Sequence, residues 1–185
     1  MNKYLPTFLS MSIFDIDYAT LYAQGKKVIL FDLDNTIASY EEEYPNKNQL
    51  MLNQKLLKIG YRIYIVSNNG KKRVSRFVKE FKVNGYITYA RKPFKKKLNH
   101  FIQKEQLKKE EIILIGDQLL TDIACANRLG VTSILVQSIS RKSEKWYTKL
   151  NRLREKKILK QLEKIDIGKT QQIKKMIEKS SDIDE

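Results

Sequence analysis

The chain has one cysteine, Cys125, so no disulfide framework can be built within it, and a reducing compartment is its natural setting. Cys125 reads as a small buried hydrophobe on a helix. No apolar run approaches the roughly 20 residues a membrane span needs. The stretch Met1 to Ser10 is too short and too weakly apolar for a secretory leader, so none is expected. Acids are scarce relative to bases: 21 Asp and Glu against 36 Lys and Arg leave a formal charge of +15. Such a balance suits an anionic partner, whether nucleic acid, a phosphate-rich ligand or an anionic membrane. Lys far outnumbers Arg, however, and Ile, Asn and Tyr are abundant. A genome rich in A and T produces the same bias, so charge alone names no partner.

What is present is a core. Hydrophobic residues make up 42% of 185 positions, enough for one domain with an extension. The run Val28-Ile29-Leu30-Phe31 is continuously apolar, as in a strand buried on both faces of a parallel sheet. It ends in Asp32-Leu33-Asp34-Asn35-Thr36. Strands of the same kind are predicted at 62–66, 86–89, 112–115 and 132–136, separated by helical patterns. The segment 35–46 is acidic, contains Pro45 and reads as a flap. Residues 1–16 show no period. Asp17 can cap a short helix that ends at Gly25. The triplet Asp15-Ile16-Asp17 copies the spacing of Asp32 and Asp34, but no buried strand precedes it, and it is read as structural.

Alternating strands and helices of this kind fold as an α/β domain, with right-handed crossovers placing the strands' polar ends on one edge. Ligands bind along that edge in open α/β sheets. Asp32, Asp34, Ser67, Lys92, Asp117 and Asp122 all follow strand ends. Clustered carboxylates stay ionised only beside a cation, for which an oxygen-preferring divalent ion is suited. Ser67 and Asn68 open a helix, a natural place for phosphate donors. A carboxylate nucleophile can split phosphoryl transfer into two easier steps, with a second carboxylate as acid and then base.

The motifs Phe31-Asp32-Leu33-Asp34-Asn35-Thr36, Ser67-Asn68-Asn69, Lys92-Pro93 and Gly116-Asp117-Gln118-Leu119-Leu120-Thr121-Asp122 together resemble the haloacid-dehalogenase-like (HAD) phosphatases. The resemblance is to class IIIA and its YqeG group. It covers roughly residues 3–150 and includes Tyr4-Leu5-Pro6 and the stretch 12–17. It implies a Rossmannoid three-layer α/β/α sandwich with a parallel sheet of about five strands and a C-terminal helical extension. It implies Asp32 as nucleophile and Asp34 as acid/base. Asp32, Asp117 and the Asp34 backbone carbonyl would hold Mg²⁺, and Asp122 would support the metal or Lys92. Ser67, Asn68 and Lys92 would bind the phosphoryl group, and Thr36 would steady the loop. Lys95, Lys96 and Lys97 compete with Lys92 for that role. An acid at position 34 favours a phosphatase over the related P-type ATPases, which carry Thr there, and over dehalogenases, which lack the acid.

The intervals around Ser67 leave no room for a cap domain, so the site is expected to be open. The resemblance extends to mitochondrial phosphatidylglycerophosphate phosphatases, making that lipid the favoured substrate and an anionic membrane surface a candidate partner. A nucleic-acid 3′-end or soluble-metabolite phosphatase is the first alternative, although no aromatic stacking platform is evident. A non-catalytic binding protein is the second. The core is expected over 1–140, and a basic helical extension with a partly disordered tail over 141–185. An apolar stripe through Trp146, Leu150, Leu153, Ile158, Leu159 and Leu162 either packs on the core or meets a membrane. The expected location is the cytoplasm, with peripheral contact at the inner membrane face as the variant, and oligomeric state is left open.

Overall fold

The computed structural model describes residues 2–140 and 146–182, with side chains of the last two helices described from Leu153 to Lys179. Its centre is strand β2 (Val28–Phe31), in which every residue is buried. The sheet is parallel throughout. It runs β1 (Phe8–Ser10), β6 (Thr132–Val136), β5 (Ile112–Gly116), β2, β3 (Arg62–Val66) and β4 (Gly85–Ile87). Phe31 therefore lies in register between Ile65 of β3 and Ile115 of β5. The two acids that follow it emerge at mid-sheet, between two more strand ends.

Side chains alternate across β2. Ile29 and Phe31 join Ile63, Ile65, Ile113 and Ile115 on one face, under α1 (Tyr18–Ala23), α2 (Lys47–Ile59) and α3 (Lys71–Val78). Val28 and Leu30 face the other way, beside Ile112 and Leu114, under α4 (Lys96–Lys104) and α5 (Ala124–Leu129). This is the three-layer sandwich, and it explains why β2 carries no polar position. Asn46 and Gln49 form a reciprocal cap at the start of α2, and Gly60 closes the helix in a left-handed conformation at φ 108°. Asp17 accepts from the Thr20 N–H at 3.0 Å and caps α1, the structural role expected of it.

The sheet has six strands, one beyond the expected count. The addition is β1, three residues paired with β6 in a stretch where no period is visible. A short edge strand owes its existence to its neighbour's unpaired backbone rather than to its own pattern.

The extension forms two helices, α6 (Trp146–Glu163) and α7 (Ile167–Asp182). Ile158, Leu159 and Leu162 of α6 and Ile173 of α7 bury against Leu119, Ile123 and Leu135. The described part of the predicted stripe thus packs on the core, while Leu153 is exposed. The side chains of Trp146 and Leu150 lie outside the described residues. Where composition predicts a partly disordered tail after Gly168, the chain is helical through Asp182, because Ile173 and Met176 give α7 a buried face. Among the described residues, no helix is long and apolar enough to cross a membrane. Nor does any inserted domain separate β2 from β3 or β3 from Lys92.

Candidate active site

Asp32 leaves β2 with its N–H still bonded to the Ile115 carbonyl at 2.9 Å, so the sheet fixes its backbone. The chain then turns sharply. Asn35 takes a left-handed conformation (φ 64°), which asparagine tolerates, and its N–H reaches the Ala38 carbonyl at 2.7 Å. The turn presents the Asp32 and Asp34 carboxylates to different partners.

Asp32 faces the lysine. Lys92 Nζ lies 2.6 Å from Asp32 Oδ1, 2.6 Å from Asp122 Oδ1 and 2.8 Å from the Val66 carbonyl. The Thr36 hydroxyl sits behind, 3.3 Å from Asp32 Oδ2 and 3.5 Å from Asp117 Oδ1. Asp34 faces β3 and α3. Its Oδ2 accepts from Asn69 Nδ2 at 2.7 Å and from the Ser67 hydroxyl at 3.2 Å, and its Oδ1 accepts from Arg73 Nε at 3.0 Å.

Asn68, expected as a phosphate donor, lines the cleft. Its side-chain amide is committed to the lysine: Oδ1 accepts from the Lys92 N–H at 2.8 Å, and Nδ2 donates to the Lys92 carbonyl at 3.2 Å. Among the four candidate lysines, Lys92 is the one buried in the cluster. Lys95, Lys96 and Lys97 are exposed, and Lys97 Nζ reaches the Tyr89 carbonyl at 3.1 Å.

Asp122 folds back beneath the end of β5. Its Oδ2 accepts from the Gln118 N–H at 3.1 Å. Any Cβ on residue 116 would come within 2.4 Å of Asp122 Cβ, so glycine at 116 is what lets this carboxylate reach Lys92. Between Asp117 and α5 the chain makes a π-helical turn, Leu119–Ile123, a local irregularity common at functional sites.

The electrostatics follow from burial. Desolvation pushes the Asp32 carboxyl well above the usual carboxylate range. Lys92 pulls it back, while Asp122, Asp117 and Asp34 push it further up. Burial raises Asp122 as well, against the pull of Lys92. For Lys92, burial alone would lower the pKa, but the Asp122 and Asp32 carboxylates reverse this and hold it as the ammonium. Oxygens of Asp32, Asp117 and Asp122 all lie within 4.8 Å of one another. Three converging buried carboxylates, hard oxygen donors beside a single ammonium, fit a hard divalent cation.

Asp32, Asp34, Ser67, Lys92 and Asp122 line one cleft of about 350 Å³, and the Thr36 hydroxyl links Asp32 to Asp117 behind it. Sequence reasoning assigned no role to Asn69 or Arg73. Arg73 falls within the first turn of the helix that follows Ser67, a spacing that could have pointed to it. Nor did it foresee that Arg154 of α6 would line the cleft.

A parallel sheet bearing this acid–lysine constellation at its carboxyl edge defines a phosphatase of the HAD-like class. The family model described as mitochondrial PGP phosphatase matches residues 2–139, and the chain belongs to that family. The chain is 34% identical over 161 residues to the probable phosphatase YqeG of Bacillus subtilis, covering 87% of this chain and 92% of that one. Among solved structures, the D,D-heptose 1,7-bisphosphate phosphatase of B. bronchiseptica, complexed with magnesium and phosphate, superposes with a TM-score of 0.52 at 14% identity. The match covers 60% of this chain and 81% of that one. An uncharacterised protein of Listeria monocytogenes gives the same TM-score at 19% identity, covering 60% and 78%. These likenesses speak to the fold.

Proposed function

We propose that this phosphatase hydrolyses phosphomonoesters through an aspartyl-phosphate on Asp32, with Mg²⁺ as its cofactor and phosphatidylglycerophosphate as its substrate. The observation that carries the reading is the separation of two acids only two residues apart: Asp32 against Lys92, Asp34 against Ser67, Asn69 and Arg73.

In the first step an Asp32 carboxylate oxygen attacks phosphorus, the bond to the leaving oxygen breaks, and Asp34 gives that oxygen a proton. In the second, Asp34 takes a proton from water as the water oxygen attacks the same phosphorus. The bond to Asp32 breaks, releasing inorganic phosphate and restoring the carboxylate. Lys92 offsets charge on the phosphoryl oxygens and is itself held by Asp122 and by Asn68 through its backbone. Ser67 offers its hydroxyl to the same group. Mg²⁺ would be held by Asp32, Asp117 and the Asp34 backbone carbonyl, with Asp122 beside them. Bound there, it supplies charge neutralisation between an anionic nucleophile and an anionic ester.

The lipid substrate is supported by the family's description, by the uncapped cleft and by the positive charge of the chain. Each surface lysine near an anionic bilayer contributes about 1 kcal/mol of attraction. The test is Mg²⁺-dependent phosphate release from phosphatidylglycerophosphate in mixed micelles, run beside soluble phosphate esters. Turnover of the lipid supports the proposal. Good turnover of a soluble ester with none of the lipid removes the lipid and keeps the phosphatase.

One observation favours a second reading. Tyr89 and Phe94 are 60% and 69% exposed beside the cleft, among Arg91, Lys96 and Lys97. The structure therefore holds an aromatic and basic surface that the sequence did not reveal. Aromatic and basic groups together suit single-stranded nucleic acid. Hydrolysis of an oligonucleotide 3′-phosphate in preference to the lipid, with affinity falling steeply as salt rises, would establish that alternative.

A further inference from the structure

The C-terminal extension reaches the cleft. Glu155 of α6 is buried at 3% exposure, and its Oε1 accepts from the Leu120 N–H at 3.2 Å. Leu120 belongs to the π-helical turn and itself lines the cleft. Ile158, Leu159 and Leu162, on the following turns, lock α6 onto Leu119 and Ile123. The helix is thus fixed by a polar contact at mid-length and along its apolar face. The residue before Glu155 is Arg154, and it lines the cleft together with Lys92, Asp32 and Ser67.

Arg154 differs from the other cations there. Lys92 is engaged by Asp32 and Asp122, and Arg73 by Asp34. Among the described residues, the Arg154 side chain makes no ion pair or hydrogen bond, and it stands exposed at the wall. A guanidinium presents paired donors that match the oxygens of a phosphate.

We propose that Arg154 forms a second anion subsite, which binds a phosphodiester carried by the substrate next to its scissile phosphomonoester. The proposal rests on the phosphomonoesterase reading and deepens it. In an uncapped fold, the extension supplies the wall that a cap would otherwise provide, and the wall selects esters bearing a second negative charge.

The experiment measures kcat/KM with Mg²⁺ for two soluble esters. One is glycerol 3-phosphate. The other is glycerophosphoglycerol phosphate, a phosphomonoester bearing a phosphodiester. The readout is the ratio of the two values in the wild type, Arg154→Ala, Arg154→Lys and Lys157→Ala, with p-nitrophenyl phosphate as a common reference. Lys157 is exposed on the same helix and does not line the cleft. The wild type is expected to prefer the diester-bearing ester. Arg154→Ala should lower the ratio about tenfold, the scale of one exposed charge-assisted contact, through KM rather than kcat. Arg154→Lys should keep part of the preference, and Lys157→Ala all of it.

A ratio that Arg154→Ala leaves unmoved overturns the subsite. So does a parallel loss on both esters, which means a structural role, or an equal loss in Lys157→Ala, which means a diffuse field. A wild type that hydrolyses p-nitrophenyl phosphate without preferring the diester also overturns it, and leaves the phosphatase reading standing. A wild type that hydrolyses none of the three esters overturns the subsite, and one that also leaves phosphatidylglycerophosphate in mixed micelles intact overturns both.

Discussion

Replacing Lys92 by methionine keeps the length of the side chain and removes its charge. The side chains involved are nearly or wholly buried: Lys92 at 2% exposure, Asp32 at 10% and Asp122 at 1%. Breaking a buried ion pair by removing one partner costs roughly 3–5 kcal/mol, because the surviving charge is left uncompensated in the interior. Here one ammonium serves two carboxylates, so the upper end of that range is expected. For a chain of this size, about 2–4 °C of melting temperature is lost per kcal/mol, so the midpoint should fall by roughly 10–20 °C at pH 8.

The pH dependence separates this account from a simple loss of packing. Burial already raises the Asp32 and Asp122 pKa values, and removing Lys92 raises them further. A carboxyl whose folded pKa is raised costs no stability below its unfolded value, near 3.8, and costs progressively more as pH rises toward the folded value. The gap between Lys92→Met and wild type should therefore be wide at pH 8 and narrow toward pH 4–5. Adding Asp122→Asn to Lys92→Met should recover part of the stability, since the two positions are directly coupled. The assay is thermal unfolding without divalent metal across that pH range. A Lys92→Met protein as stable as wild type at pH 8, or a deficit that does not change with pH, would refute the argument.

Other substitutions separate chemistry from architecture. Asp32→Asn should abolish turnover while leaving the melting temperature unchanged or raised, because the amide cannot attack phosphorus and removes one buried charge. A beryllofluoride adduct on any residue other than Asp32 in a crystal would contradict the assignment. Asp117→Ala should raise the Mg²⁺ concentration needed for half-maximal rate, and an unchanged metal dependence counts against a ligand role. Leu162→Ala should destabilise the fold by about 2–5 kcal/mol in denaturant melts, since Leu162 of α6 is fully buried. A change under about 0.5 kcal/mol, the scale of an ordinary surface substitution, would mean that α6 is not part of the core. Burial pushes the Cys125 thiol up to about 12, so it should resist a thiol reagent at pH 8 and react only on unfolding. Labelling of the native protein would show that the site opens.

Local pattern and tertiary contact divide what could be read in advance. Strand β2 and its acids were legible because a four-residue apolar run needs burial on both faces, and a buried strand must end somewhere polar. The sequence left four lysines in competition, and burial separates them: Lys92 is enclosed against Asp32 and Asp122, whereas Lys95, Lys96 and Lys97 sit exposed at or within a helix start. What pattern cannot show is which side chain crosses to which. Asn68 sits at a helix start, where a phosphate donor was expected, yet its amide closes on the backbone of a residue 24 positions away. Arg73 is one of four bases on α3, beside Lys71, Lys72 and Arg76, and its tie to Asp34 exists only because β2 and β3 are neighbours. Glycine at 116 reads as part of a motif, but its reason, the space taken by Asp122, is three-dimensional. The edge strand β1 and the buried face of α7 escaped for the same cause: each is stabilised by what it lies against.

The charge of the whole chain and the charge of its cleft have opposite signs, and the contrast bears on function. The chain carries +15, yet Asp32, Asp34, Asp117 and Asp122 outnumber Lys92, Arg73 and Arg154 in and around the cleft at its centre. At long range the positive field draws an anionic ester in and raises its local concentration, an effect that weakens with added salt. At contact, an anionic phosphate meets an excess of buried carboxylates and would be repelled. Only a small cation of at least two charges reverses that sign without displacing the nucleophile. Salt should therefore act chiefly on KM, through encounter, while divalent metal should act on kcat, through the buried cluster. Two ions that both screen charge in free solution would thus have separable effects on this protein.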